Sequence, residues 1–290
     1  MFETIVETSG ALVMCPEPKR VGLFGGPWTK SAAFVTAGLA ALQVSPSAAN
    51  AQDDQDSLRT RVTLGPALAP RFPGSDEMSL RPYVKLDRTR GDQPFPFKAP
   101  DDGIGVPLYK HNGLSLGPAA GFVNKRNPDD VGGLDRVGFT VELGGFVHYD
   151  IGPNFRLSAQ ALQGIGGHRA LTGMLGVDYI ARDHDRWLWS LGPRLSLASN
   201  RYVRAYFGVT PSETAATAIP TSRPGGGFIA AGATASARRQ LSSHWGIFGY
   251  AKYDRLLGDA AASPVVRDFG SRNQWSGGVG LSFTFGKQSN

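Results

Sequence analysis

The chain has 290 residues, a hydrophobic content of 41% and a formal net charge of +6 at pH 7. Its basic residues are spread along the sequence without a dense patch, so we expect no nucleic-acid partner. The single cysteine, Cys15, lies in the first segment of the chain. A disulfide framework and a thiolate metal site are therefore excluded for the rest of the chain, and we expect no cofactor.

The N-terminal segment has the composition of an export signal. Basic residues precede an Ala-rich apolar run over residues 31–44, and Ala49-Asn50-Ala51 fits the small-residue cleavage pattern. We expect residues 1–51 to be a cleaved signal peptide, with Gln52 as the mature start and residues 52–59 as a periplasmic lead-in. The stretch before the apolar run is unusually long, so Met14 is an alternative start.

Residues 137–197 contain the strongest period-two pattern. Within residues 137–149, apolar side chains occupy one face and small or polar ones the other, and the pattern returns at 155–161, 171–179 and 187–197. A tilted strand of about 9–11 residues spans the hydrocarbon layer. Aromatic residues on the apolar face flank both the short and the long connections, and two such belts are typical of a transmembrane β-barrel. The belt residues are Tyr149, Phe155, Tyr179, Trp187 and Trp245 at one end, and Phe122, Phe139, Phe228, Tyr253 and Trp275 at the other.

The remaining segments extend this pattern into an all-β antiparallel transmembrane barrel over residues 60–285. Further strands are predicted at 60–69, 79–88, 94–99, 105–110, 114–123, 227–239, 245–255 and 275–285. Long and short connections alternate, as in outer-membrane barrels with long external loops and short periplasmic turns. We predict twelve strands, with ten as the alternative if the proline-interrupted third and fourth are lost. Residues 286–290 then form a periplasmic tail.

A short repeat occurs in three of the predicted strands. Leu64-Gly-Pro66, Leu116-Gly-Pro118 and Leu191-Gly-Pro193 each place the proline on the apolar face. Because proline removes a ladder donor, the repeat could mark bulges or bends in the wall, or it could arise by chance in a chain rich in Gly and Pro. The sequence leaves both readings open.

Charged side chains at inward positions are the candidate functional residues. They could fill the lumen with salt bridges or line a solute path, and a count of about twelve strands leaves both open. Of the two, we favour the filled lumen. No strand carries a Ser–His–acid arrangement, so we expect no enzymatic activity. The candidate lumen charges are Glu142, Arg156, Asp178, Arg194, Lys252 and Asp254.

Several segments together resemble the MltA-interacting protein (MipA/OmpV) family. They are Pro70-Arg-Phe-Pro-Gly-Ser-Asp76, Ala205-Tyr-Phe-Gly-Val209, Gly167-His-Arg169, and Tyr253-Asp-Arg-Leu-Leu-Gly-Asp259 with Ala262-Ser-Pro-Val265. The resemblance covers the predicted mature chain. One departure is that the family usually ends on an aromatic strand, whereas residues 286–290 continue past Phe285 here.

The resemblance implies an outer-membrane barrel of a Gram-negative bacterium, in contact with membrane lipid and lipopolysaccharide. It also implies a non-catalytic scaffold that links a murein transglycosylase and a murein synthase. A passive solute pore and a surface adhesin or antigen are the alternatives. A murein enzyme would be met from the periplasm, so we expect Arg182 and Arg186, in the predicted turn over residues 182–186, to contact it.

Overall fold

One antiparallel sheet of twelve strands dominates residues 57–286, the part of the chain that this computed structural model describes. The expected signal peptide, the Gln52 start, most of the lead-in and most of the tail lie outside the described residues. The strands are β1 (Leu58–Pro70), β2 (Met78–Arg90), β3 (Ile104–Gly105), β4 (Tyr109–His111), β5 (Leu114–Val123), β6 (Thr140–Ile151), β7 (Phe155–Gly166), β8 (Leu171–Asp183), β9 (Trp187–Ala198), β10 (Gly227–Gln240), β11 (Trp245–Leu256) and β12 (Asn273–Phe285).

The strand order confirms the predicted all-β antiparallel class. The ladder runs β2-β1-β12-β11-β10-β9-β8-β7-β6-β5-β3, and β4 also pairs with β5. Ten strands have 10 to 14 residues, whereas β3 has two and β4 has three. The count of twelve is therefore reached with ten long strands and two short ones.

The predicted third strand, residues 94–99, is wrong. Residues 91–103, which we call the inner strap, have no ladder partner and run inside the curled sheet, where Phe95 and Phe97 are buried. Pro94 and Pro96 have no N–H to donate, so this segment cannot form a regular ladder with β2. Its period-two pattern is real, but it belongs to a segment that the wall surrounds.

The long strands are apolar outside and polar inside. Leu191 is 53% exposed while the adjacent Ser190 is 2% exposed, and Leu143 is 48% exposed while Glu142 is 6% exposed. A water-soluble sheet would bury its apolar face. This inverted arrangement suits a wall whose outer face is in contact with hydrocarbon.

The long connections fold into a dome at one end of the barrel, made of residues 71–77, 124–139, 199–226 and 257–272. It contains a short 3₁₀ helix (Pro128–Val131) and the helices α1 (Asn200–Phe207), α2 (Pro211–Thr217), α3 (Gly258–Ala262) and α4 (Pro264–Phe269). Their apolar side chains form the largest buried cluster, which includes Phe72, Leu134, Val203, Phe207 and Val265. The loops at this end of the barrel therefore form a packed layer with its own core.

Each of the three Leu-Gly-Pro repeats lies where the backbone of a neighbouring segment approaches closely. A Cβ on Gly65, Gly117 or Gly192 would lie 1.9, 2.0 or 1.8 Å from a neighbouring carbonyl oxygen. The β1–β12 ladder skips Gly65 and Pro66, and the β8–β9 ladder is also interrupted at the repeat, both without a change of register. At two of the three repeats a close approach therefore lies beside a missing donor, whereas β5 pairs with β6 without interruption through the second repeat. Gly144 and Gly232, outside the repeat, approach carbonyl oxygens as closely, so the close approach is not particular to the repeat.

The two edges of the sheet are β2 and the β3–β4 pair, and no ladder joins them within residues 57–286. Pro82 pairs with Pro66 across β1 and β2, so the missing N–H of Pro82 faces the free edge. The Lys98 Nζ donates to the Leu86 carbonyl on the same edge, at 3.1 Å. A proline and a lysine are two of the devices by which proteins block an edge from further pairing.

Candidate functional site

The inner strap is held by side chains of the wall. Its carbonyl oxygens accept hydrogen bonds from four cations: Arg59 donates to Gly91 and Gln93, Arg182 to Phe95, Arg156 to Phe97, and Lys85 to Lys98. The strap itself offers few donors, so cationic side chains replace the backbone ladder. Hydrogen bonds to charged groups contribute about 1.5–3 kcal/mol each.

Two aromatic side chains of the strap stack on arginines of the wall. The Arg61 guanidinium carbon lies 3.9 Å from the centroid of the Phe95 ring, and that of Arg59 lies 5.0 Å from it. Arg156 lies over Phe97 at 5.1 Å. Cation–π contacts of desolvated groups are worth about 2 kcal/mol, so they add to the hydrogen bonds that hold the strap.

The tip of the strap enters an ion-pair cluster made of Asp101, Asp178, Arg194, Lys252 and Asp254. The Asp101 carboxylate accepts from Arg194 Nε at 3.0 Å and from Arg194 Nη2 at 3.2 Å, and it lies 3.1 Å from Lys252 Nζ. Arg194 also donates to Asp178 at 2.7 Å, and Lys252 lies 3.3 Å from Asp254. Four predicted lumen charges are thus brought together around a strap residue.

The other two predicted lumen charges lie elsewhere. Arg156 forms an ion pair with Asp150 at 2.6 Å near the short-turn end. Glu142 lies beneath the dome, where it accepts from Thr172 Oγ1 at 2.7 Å and lies 3.4 Å from His168 Nε2. The His168 ring packs edge-on against Tyr202 of α1, with 5.0 Å between ring centroids. Glu142 therefore belongs to the contact between the wall and the dome.

The two predicted partner contacts have different environments. Arg186 is exposed on the β8–β9 turn, with its side chain 83% accessible and 3.5 Å from Asp183. Arg182 donates to the carbonyl oxygens of Phe95 and His184, and its side chain is only 22% accessible. Arg182 is thus engaged inside the barrel, so we keep Arg186 alone as a candidate partner contact.

Sequence reasoning missed Asp101, Phe95 and Phe97. Asp101 lies in the connection between the predicted strands 94–99 and 105–110, and its carboxylate is the acceptor shared by Arg194, Lys252 and Thr234. The available signal was the run Pro94-Phe-Pro-Phe97, whose prolines argue against a wall strand while its aromatic residues argue for burial.

Residues 57–286 offer few arrangements suited to chemistry. No group of three or more His, Cys, Asp or Glu side chains in this part of the chain is placed to hold a metal ion. The hydroxyl of Ser243 lies 2.8 Å from His244 Nδ1, but both are exposed on the β10–β11 turn. The described helices include none that is both long and apolar enough to cross a membrane.

An antiparallel sheet with an apolar outer face, aromatic belts and a polar interior defines a β-barrel of the outer-membrane class. The family described as MltA-interacting protein MipA matches residues 62–285, which is well over half of the chain. The chain belongs to this family, and the resemblance seen in the sequence is confirmed.

Other comparisons give only distant likenesses. An outer membrane channel from Pseudomonas putida F1 is 10% identical with a TM-score of 0.39, over 84% of this chain and 100% of that chain. OmpT, an outer membrane protein of Vibrio cholerae, is 8% identical with a TM-score of 0.30, over 82% and 100%. The outer membrane protease OmpT from Escherichia coli is 10% identical with a TM-score of 0.26, over 80% and 97%. No curated protein matches the chain.

Proposed function

We propose that this chain is a non-catalytic scaffold of the Gram-negative outer membrane, exported through a cleaved signal peptide. It meets a murein transglycosylase, and through it a murein synthase, on the side of the short turns. The partner class rests on the family description, which names an interaction with MltA. The outer leaflet around the wall supplies lipid and lipopolysaccharide contacts.

The observation that favours a scaffold over a pore is that the inward charges are engaged in holding the inner strap. Arg156, Arg194 and Lys252 are occupied by the strap or by its ion pairs. A solute path would need such groups to face water. Because the strap lies between them, the lumen serves to hold a segment of the chain, which leaves the ends of the barrel for contacts.

The short turns offer a small surface, so the complex should be weak and dominated by a few residues. The test is co-purification of the transglycosylase from detergent extracts at low and high salt. Replacing residues 183–186 by Gly-Ser should reduce capture, and salt should weaken it because exposed charges are screened. Unchanged capture would contradict this assignment. Loss of capture on trimming only the dome would place the contact outside and favour an adhesin.

A passive pore is the second candidate, and one feature favours it. The strap is held by side chains without a ladder, so it could leave the lumen without breaking the sheet. Single-channel recordings of the purified protein distinguish the two functions: a scaffold with a filled lumen gives no steady conductance, whereas a pore gives a stable open level.

A further inference from the structure

An apolar groove of about 850 Å³ lies on the outer wall, where strands β9, β10, β11, β12 and β1 follow one another. Large exposed side chains form its two rims: Trp189 on β9 is 43% exposed and Val279 on β12 is 62% exposed. Small residues form its floor, because Ala237 pairs with Trp189 on one side and with Gly249 on the other, and Gly249 pairs with Val279. Directly opposed residues lie side by side on one face of a sheet, so an apolar chain can lie on this floor between two ridges.

The groove has a direction, because its two ends differ. Away from the short turns the small floor continues, since the next pair on the same face is Ala235 with Ala251. Towards the short turns the next residue on that face of β10 is Arg239, which pairs with Trp187 and with Ile247. Tryptophan side chains such as Trp187 mark the level at which hydrocarbon meets the polar headgroups. The groove therefore leads from the hydrocarbon layer to an arginine at its boundary.

A second cavity, of about 590 Å³, adjoins that end of the groove and shares Trp187 and Arg239 with it. Asp185 is engaged by Arg59 at 3.1 Å, and Asp183 by Arg186 at 3.5 Å. Arg239 is exposed, and within residues 57–286 its side chain forms no ion pair or hydrogen bond. The cavity therefore has more positive than negative charge. Its charged lining residues are Arg59, Arg61, Asp183, Asp185, Arg186 and Arg239.

We propose that the groove and the adjoining cavity together bind one anionic phospholipid from the leaflet at the short-turn end. An acyl chain lies on the floor made by Ala237 and Gly249, and the phosphate accepts hydrogen bonds from Arg239. An amphiphile is required because one continuous site is apolar along the wall and basic at its end, and the guanidinium group of arginine matches the oxygens of a phosphate. The uncompensated charge of Arg239 selects a headgroup with a net negative charge over a zwitterionic one. The proposal does not depend on a murein partner.

The test is a titration of the purified barrel in detergent with phosphatidylglycerol or phosphatidylcholine carrying brominated acyl chains. Bromine on a chain in the groove quenches the fluorescence of Trp187 and Trp189, so phosphatidylglycerol should quench at the lower concentration. Arg239→Ala should weaken phosphatidylglycerol about fivefold, the effect of one basic side chain near an anionic lipid surface, and leave phosphatidylcholine unaltered. Arg88→Ala is the matched control, because Arg88 is exposed near the same end of β2 but lies outside the groove and the cavity. This control should change neither lipid.

The groove itself is tested by Ala237→Leu, which fills the floor and should weaken both lipids. Ala161→Leu is its control, because Ala161 is an exposed alanine on β7 outside the groove. Equal quenching by the two lipids in the parent protein would overturn the proposal, as would equal effects of Arg239→Ala and Arg88→Ala. Equal effects of the two leucine variants would show that the chain does not lie in the groove and would overturn it as well. These variants leave residues 183–186 intact, so capture of the transglycosylase is a separate readout.

Discussion

The substitution Asp101→Asn removes the charge to which the tip of the inner strap is bound. The carboxylate accepts from Arg194 Nε and Nη2 and from Thr234 Oγ1, and it forms an ion pair with Lys252. An amide of the same size keeps one acceptor oxygen and turns an NH₂ group towards the cations. The strap therefore loses its charged anchor while the shape of the cluster is kept.

The magnitude follows from the partners that remain. Breaking a buried ion pair costs about 3–5 kcal/mol because a charge is left unpaired. Here Arg194 keeps Asp178 at 2.7 Å and Lys252 keeps Asp254 at 3.3 Å, so the lower end applies. A loss of about 3 kcal/mol raises the population of a released strap by about two orders of magnitude.

Planar-bilayer recordings and heat-modifiability gels measure the two consequences. The parent protein should show no steady conductance, whereas Asp101→Asn should show brief openings and unfold at a lower temperature. Asp92→Asn is the control, because Asp92 lies in the same strap but is exposed and has no described partner. If Asp101→Asn were as silent and as stable as Asp92→Asn, the cluster would not be what holds the strap.

Three further outcomes are expected. Leu191→Arg, on the outer wall, should cost about 2–4 kcal/mol of barrel stability in heat-modifiability gels, whereas Leu241→Arg in the β10–β11 turn should cost little; equal costs would contradict the membrane placement. Burial alone would raise the pKa of Glu213, but hydrogen bonds from Thr210 and the Asp135 N–H hold it below its ordinary value of 4.5. Its stabilisation of the dome is therefore present above that value and lost as pH falls through the lowered pKa, so limited proteolysis of residues 199–226 should increase on acidification in the parent more than in Glu213→Gln. N-terminal sequencing of membrane-derived protein should begin at Gln52, and an intact Met1 would refute the export signal.

Period-two reasoning succeeds where one side of a strand meets lipid and the other meets the lumen. Leu191 and Ser190 could be assigned to opposite faces because a ladder forces the alternation. The same rule fails at Phe95 and Phe97. An extended segment inside the barrel also has alternating side chains, because here buried phenylalanine rings alternate with prolines. A wall strand and a segment inside the barrel are distinguished only by strand pairing, because β2 pairs with β1 alone and not with residues 94–99. Strand pairing is a long-range property.

The dome was beyond sequence reasoning for a related reason. Thr210 and Glu213 form a capping box that begins α2, a local signal that the sequence carries at residues 210–213. The burial of Arg126, by contrast, depends in part on the carbonyl of Tyr206, which is 80 residues away in sequence. When loop helices are stabilised mainly by contacts with one another, their capping residues are the only signal that the local sequence gives.

The inward charges are better explained as groups that fix the position of the strap than as groups that stabilise the fold. A buried ion pair seldom stabilises a fold more than an apolar pair would, because desolvation offsets the attraction, but its loss on one side is costly. Asp101 can satisfy Arg194, Lys252 and Thr234 only when the strap has one height and one register in the lumen. The hydrophobic wall alone would allow many positions of the strap in the lumen, whereas this cluster allows one. We infer that the charges select the position of the strap in the lumen.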